Sequence, residues 1–293
     1  YERANMHEQE ANKRIAEAVA CREVDYIPKA PDAGQVRVDG AGKRVQVMHN
    51  GLLVLADGYY GPSITRIVER LRGHHEPQEE KAFYEVLKVI PPGSVMIELG
   101  CYWAYYSLWF QKAVPGARTF LVEPNRDALK CGMRNFQLNG LRGDFTEAFV
   151  GRVSSPGWLN AGGRGGSNEV PQVCVKDLVQ SKGIGPVSLL HSDIQGFEHE
   201  MLLGCGSLLD EKKISFLFVS THSLKLHYQC LKYLVRKGYS IIGEHTPKES
   251  YSEDGLIAAS AAPDALPAIR VSRKPVSLRL KWKTSLFKAF YGP

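Results

Sequence analysis

Between residues 94 and 261, short apolar runs alternate with helix-periodic stretches, and this rhythm constrains the fold more than any other feature. Runs at 94–99, 118–123, 144–150, 187–192 and 214–220 are each followed by a helical pattern, at 104–113, 126–138, 176–182, 198–209 and 223–237. Strands separated by helices cannot pair as hairpins, so the pattern predicts a mainly parallel sheet with helices on both faces. Only a turn separates the last two runs, 239–244 and 255–261, which predicts an antiparallel final strand. The expected fold class is therefore α/β, a doubly wound seven-stranded sheet.

The flanks read differently. Residues 5–22 form a polar helix candidate whose Ile15 and Val19 are too sparse for a deep core face. Runs 35–39 and 44–49 alternate around Asp39-Gly40-Ala41-Gly42 as a β-hairpin, which 52–55 extends. A helix over 62–72 is stopped by Gly73. Pro77 opens another, with Phe83, Val86, Leu87 and Ile90 on one face, and Pro91-Pro92-Gly93 ends it. Residues 1–75 are read as an accessory cap (helix and hairpin), 76–262 as the α/β domain and 263–293 as a basic tail. The glycine-rich stretch 151–169 is expected to be a plain connection, with a lid over a site as the alternative.

Of the net charge of +6, seven basic residues lie from Arg270 onward with no acid among them, which leaves −1 for the rest. A near-neutral body excludes an enzyme whose main groove must neutralise many phosphates, so no nucleic acid partner is expected. No apolar run approaches the roughly 18 residues that span a bilayer. The six cysteines contain no CxxC pair, which argues against zinc ribbons and disulfide frameworks and fits a reduced, cytoplasmic setting. A chain beginning with Tyr1 and no signal segment is expected to be a piece of a longer one.

Chemistry concentrates where the predicted strands end, which is where open α/β sheets bind ligands. The first turn joins Glu98 to Gly100, followed by Cys101, Tyr102, Trp103 and Ala104. About 20 residues on, Glu123 closes the second strand, placed to accept both hydroxyls of a ribose; the plain reading is an acid stabilised by the following helix dipole. Glu123 implies an adenosine-containing cofactor. A dinucleotide needs G-x-G-x-x-G so that amides approach a pyrophosphate. Here Gly100 stands alone and two bulky aromatics follow. S-adenosylmethionine carries no phosphate, and its sulfonium tolerates carboxylates and aromatic faces.

The fourth strand ends in His191-Ser192-Asp193-Ile194-Gln195-Gly196-Phe197-Glu198, poor core material that is expected to face the crevice. The fifth ends in Thr221-His222-Ser223. Neighbouring strands would bring Asp193 and His222 to one rim, where the histidine could deprotonate an acceptor hydroxyl and the carboxylate hold the imidazolium. The pair could instead ligate a divalent ion that acidifies the hydroxyl. Two ligands fall short of a metal signature, so the base is preferred and no metal ligand is assigned.

From about Leu71 to Ala262 the chain resembles the FkbM-type family of S-adenosylmethionine-dependent methyltransferases. Three blocks carry the resemblance: Ile97-Glu-Leu-Gly through Ala104-Tyr-Tyr-Ser107, Val122-Glu-Pro-Asn125, and Ser192-Asp-Ile-Gln-Gly-Phe-Glu198 with Leu202-Leu-Gly204. It implies a Rossmann-like sheet, cofactor contacts at Glu98, Gly100, Tyr102, Ser107, Glu123, Pro124, Asn125 and Asp193, and O-methylation of sugars or related hydroxyls. The family's second glycine is Ala104 here, its lysine His191, and its glutamate Gln195. The segment upstream of the first block often lies over the cofactor, which brings in Glu76 and Gln78, with the helix start at Pro77 offering amides to a carboxylate. Ala148 and Phe149 are assigned to the adenine pocket, with an ordinary core role as the alternative.

In the tail, Val276, Leu278, Leu280 and Trp282 alternate with Ser277, Arg279, Lys281 and Lys283, and Leu286, Phe287, Phe290 and Tyr291 follow at helical spacing. Such a stretch docks on the body or a partner, or rests on an anionic membrane surface at the inner face. The expected activity is O-methylation, by S-adenosylmethionine, of a sugar hydroxyl in a glycan, glycolipid or glycosylated metabolite. The alternatives are an NAD(P)-dependent oxidoreductase and a non-catalytic glycan- or membrane-binding module.

Overall fold

Ahead of the sheet, helix α1 (Glu2–Ala20) leads into a three-stranded antiparallel meander, β1 (Val36–Val38), β2 (Arg44–Val47) and β3 (Leu53–Leu55), and then helices α2 (Pro62–Arg70) and α3 (Pro77–Leu87). The computed structural model describes residues 2–156 and 170–275. Most of the glycine-rich stretch and the amphipathic pattern over 276–291 lie outside the described residues.

The predicted alternation follows: β4 (Val95–Leu99), α4 (Tyr105–Ala113), β5 (Arg118–Val122), α5 (Arg126–Leu138) and β6 (Asp144–Thr146). After β6 come the paired two-residue strands β7 (Phe149–Val150) and β8 (Gln172–Val173), then α6 (Val175–Ser181), β9 (Val187–Ser192), α7 (Glu198–Gly204), α8 (Ser207–Asp210) and β10 (Ile214–Thr221). Helix α9 (Leu224–Arg236), β11 (Ser240–His245) and β12 (Gly255–Ser260) are the last elements among the described residues. The seven-stranded sheet runs β11-β12-β10-β9-β4-β5-β6, and β12 is antiparallel to both neighbours. This is the mainly parallel, Rossmann-like arrangement with an antiparallel last strand, but β12 is inserted inside β11 rather than added at the edge.

β4 lies at the centre, paired in parallel with β5 and β9, and all five of its residues are buried. Its side chains alternate between faces. Val95, Ile97 and Leu99 join the core under α6, α7 and α9, while Met96 joins the core built with α3, α4 and the N-terminal elements. Glu98 is the one carboxylate on this strand, and it is 3% exposed.

Several expectations need correction. The run over 144–150 is two strands, because the chain leaves the sheet edge after Thr146 to pair with β8. The helix over 198–209 breaks at Cys205-Gly206 into α7 and α8. Ile15 and Ala18 of α1 are fully packed in the same core as Met48, Val54, Ile64, Ile67 and Phe83, so the N-terminal elements share the sheet's core. Gly73 (φ +90°) runs so close to the β2–β3 connection that a β-carbon there would lie 2.0 Å from the His49 nitrogen. The first part of the basic tail docks on the body: Arg273 pairs with Glu244 and Glu249, and Lys274 with Glu17. No helix among the described residues is long and apolar enough to cross a membrane.

Phe83 meets Tyr106, Trp109 and Phe218 at ring-centroid distances of 4.9, 5.1 and 5.8 Å. It therefore joins α3 to both α4 and the sheet. Phe83→Ala is expected to lower unfolding free energy by about 3–5 kcal/mol, measured by urea denaturation.

Candidate active site

Because β4, β5, β9 and β10 are parallel, their carboxyl ends open on one side, and a cavity of about 1280 Å³ lies there. Glu98, Gly100, Tyr102, Glu123, Pro124, Asn125, Asp193 and Gln195 all line it. Helix α1 and the turn before α2 form its far wall with Arg14, Tyr59 and Tyr60.

The first turn is shaped from within. Gly100 has φ +74°, and a β-carbon on it would lie 1.8 Å from the Asp193 carbonyl oxygen. The glycine is thus required by the close passage of β9's end as well as by the turn. Tyr102 and Ala104 are left-handed at φ 40° and 61°, so Ala104 occupies a position where glycine costs least. Glu123 tightens the turn: it accepts from the Tyr102 nitrogen at 3.2 Å and the Asn125 nitrogen at 2.9 Å. Glu98 accepts from the Ser107 nitrogen at 3.0 Å. Burial pushes both carboxyls up to about 7, and the hydrogen bonds they accept only partly offset it.

The aromatics of the turn are divided. Trp103 is 5% exposed and stacks on Tyr59 at 4.6 Å and 4°. Tyr102 meets Tyr59 and Tyr60 edge-on at 4.9 and 5.1 Å. These rings wall the cavity on the side of the N-terminal elements.

Asp193 and His222 do meet at the rim, with Nε2 3.2 Å from Asp193 Oδ1. Two further carboxylates that the sequence reading did not assign join them. Asp254 Oδ1 lies 3.3 Å from the same nitrogen, and Glu198 Oε1 lies 2.9 Å from Nδ1. Burial lowers the His222 pKa, but Asp193, Glu198 and Asp254 outweigh it and raise it to about 11. The three carboxylates thus favour the imidazolium form of His222. Burial and the Asp193 charge push Asp254 up to about 8. Burial would raise Asp193 too, yet His222 holds it below the ordinary range.

A second network lies under the cavity floor. His191 Nε2 lies 2.6 Å from Glu79 Oε1, and Ser220 Oγ donates to Glu79 Oε2 at 3.0 Å. His191 and Ser220 both line the cavity, and His191 takes the place of the family's lysine. Neither Glu79 nor Asp254 carries a local sequence signal, since each comes into place only by packing.

Three assigned cofactor residues do not line the cavity. Gln78 is 1% exposed, and its amide is spent on backbone: it donates to the Glu249 and Ser272 carbonyls at 3.2 and 2.6 Å and accepts from the Tyr251 nitrogen at 2.8 Å. Ser107 is fully buried and reaches the site only through Glu98. Ala148 belongs to the core, whereas Phe149, the other residue assigned to the adenine pocket, lines the cavity with Val150. At the helix start at Pro77, Glu80 Oε1 accepts from the His75 and Glu76 nitrogens at 2.8 and 3.2 Å.

The family model described as "Methyltransferase FkbM domain" matches residues 91–241, just over half of the chain. The chain belongs to the FkbM methyltransferase family. This FkbM-family protein is thus a methyltransferase that uses S-adenosylmethionine. No curated protein matches the sequence significantly. Among solved structures it is similar to a precorrin-6y C5,15-methyltransferase from Geobacter metallireducens (14% identity, 62% of this chain and 88% of that one, TM-score 0.41). It is also similar to TrmK of M. capricolum in complex with S-adenosyl-homocysteine (15%, 71% and 80%, 0.38). A third is a ribosomal protein L11 methylase from Lactobacillus delbrueckii subsp. bulgaricus (11%, 64% and 79%, 0.43).

The acid lining of the FkbM-family cavity suits a cofactor with a sulfonium and an ammonium. Glu98 and Glu123 would hold it from the strand ends, beside Gly100 and Tyr102. For Gln78 the expected outcome is purely structural. Gln78→Ala should lower unfolding free energy by about 1–3 kcal/mol, seen in thermal and urea melts, and leave S-adenosylmethionine affinity by calorimetry unchanged.

Proposed function

We propose that the protein methylates a hydroxyl oxygen, on a sugar of a glycan, glycolipid or glycosylated metabolite. The carrying observation is the rim where Asp193, Asp254 and His222 converge within 3.3 Å, beside a cavity already suited to the cofactor. Bound S-adenosylmethionine supplies a methyl group on a positively charged sulfur. Glu98 and Glu123 set a negative wall around that cation, and each Glu123 oxygen keeps acceptor capacity for a ribose hydroxyl beyond its one amide. Asp193 and Asp254 are placed to accept from an acceptor hydroxyl and aim its oxygen.

Room for an acceptor supports this reading, because a drug-sized ligand fills roughly 300–1,000 Å³ and the cavity holds about 1280 Å³. Phe149 and Phe197, packed edge-on at 4.6 Å, add apolar surface to a polar lining. Carboxylates with aromatic faces suit a polyhydroxylated ring, offering acceptors for its hydroxyls and flat surface for its C–H face. A pyrophosphate would meet Glu98 and Glu123, and no glycine-rich cradle offers it amides, which weighs against an oxidoreductase.

Calorimetry should show S-adenosylmethionine binding and no heat with NAD. Glu123→Gln is expected to weaken S-adenosylmethionine at least ~10-fold, in line with the loss of a charged hydrogen-bond acceptor. Affinity should also fall as pH drops from about 8 to about 6, because Glu98 and Glu123 then take up protons and the wall loses its charge. Mass spectrometry of glycans incubated with labelled cofactor would place the new methyl group. Methyl found only on nitrogen or carbon would sink the hydroxyl reading.

A further inference from the structure

We propose that Asp193, His222 and Asp254 form a binding site for one divalent cation of the Mg²⁺/Mn²⁺ class, at the edge of the cavity that Asp193 lines. That the ion binds is independent of the function proposed above; what the ion does there rests on it.

The spacing carries the argument. One donor atom from each residue lies within 4.8 Å of the other two. His222 Nε2 lies 3.2 Å from Asp193 Oδ1 and 3.3 Å from Asp254 Oδ1. Two donors bound at about 2.1 Å to a shared ion are about 3.0 Å apart at a right angle and about 3.4 Å apart at a tetrahedral angle. Both observed separations fall in that interval.

Orientation makes a separate point. Despite these short distances, neither ring nitrogen of His222 has a partner with hydrogen-bond geometry. An ordinary imidazolium–carboxylate pair puts the oxygen in line with the N–H. A ligand cis to the histidine on a common metal lies about 45° off the nitrogen's lone-pair axis.

The surroundings are built for it. Glu198, whose side chain is fully buried, places Oε1 2.9 Å from Nδ1, and its Oε2 has no partner. A carboxylate on the far nitrogen of a ligating histidine fixes the ring and raises its basicity. Glu76, Glu98, Glu123 and Glu253 also line the cavity, with Arg14, His75 and His191 as basic side chains there; His75 pairs with Glu76 at 3.2 Å and His191 with Glu79. Two carboxylate oxygens to one nitrogen favour a hard cation, and three protein ligands leave positions for water and a substrate hydroxyl. The other histidine–carboxylate cluster, His49, His74 and Glu80, differs in both respects. It is buried, Glu80 bonds His74 directly and lies 2.6 Å from His75, and the His49 and His74 rings stack at 4.2 Å.

A hydroxyl in an open position of the ion would have a lowered pKa; as its oxygen forms the new O–C bond, the cofactor's S–C bond would break to release S-adenosylhomocysteine and the hydroxyl proton would pass to water. This activation does not draw on His222 as a base, because its Nε2 lone pair would be given to the ion.

The test is titration of the full chain with Mn²⁺, following free Mn²⁺ by electron paramagnetic resonance, with S-adenosylmethionine binding measured in parallel. One Mn²⁺ per chain is expected with or without the cofactor. Asp254→Asn should weaken Mn²⁺ at least ~10-fold and leave S-adenosylmethionine affinity within about 3-fold. His222→Gln serves if Asp254→Asn does not melt cooperatively, with the same expectation for Mn²⁺. Absence of Mn²⁺ binding, or binding equal in wild type and variant, would overturn the site. Manganese binding without S-adenosylmethionine binding would instead overturn the cofactor reading and leave the site standing.

Discussion

Helix α3 buries Gln78, Glu79 and Glu80 in its first turns, and each is satisfied by a different part of the chain. Gln78 holds the 249–251 turn and Ser272, Glu79 holds His191 and Ser220 on the sheet, and Glu80 holds His74, His75 and the helix's own entry. Buried carboxylates cost several kcal/mol each unless fully paired, so these contacts are all-or-none. They tie the N-terminal elements, the sheet and the start of the tail into one geometry. The apolar face of the same helix, through Phe83, closes the core beneath.

That geometry gives the cavity its charge. Glu98 and Glu123 close two adjacent parallel strands, and Asp193 closes the next. Parallel pairing forces all three toward one crevice. Burial pushes the carboxyls of Glu98 and Glu123 up to about 7, so a neighbouring cation would favour their ionised form, which is an electrostatic demand as well as a shape. Sulfonium, ammonium and a divalent ion answer that demand. A phosphate would oppose it.

The bulky first turn serves the wall. Trp103 is committed to Tyr59, and Tyr102 to Tyr59 and Tyr60, so the residues that exclude a pyrophosphate also attach the N-terminal elements to the cavity. The left-handed turn at Tyr102 and Ala104 is held by backbone donation to Glu123. Cofactor wall and cap docking are one structural unit.

The strand–helix alternation, the antiparallel last strand and the strand-end positions of Glu98, Gly100, Glu123 and Asp193 were legible in the sequence, because hydrophobic period and strand polarity are local properties. The sequence reading failed where the fate of a polar side chain depends on what packs against it. Gln78 looked like a helix-start donor, but residues from 249 to 272 arrive to consume its amide. Ser107 and Ala148 lie on the right elements yet face inward. His222 read as a base from proximity to Asp193 alone. Only tertiary structure adds Asp254, which precedes β12, and Glu198, which opens α7, to the surroundings of the imidazole. Local pattern determined which elements form and where they end. Packing between segments remote in sequence decided which side chains share a cavity and what charge they carry, because burial and Coulomb interactions depend on distance in space.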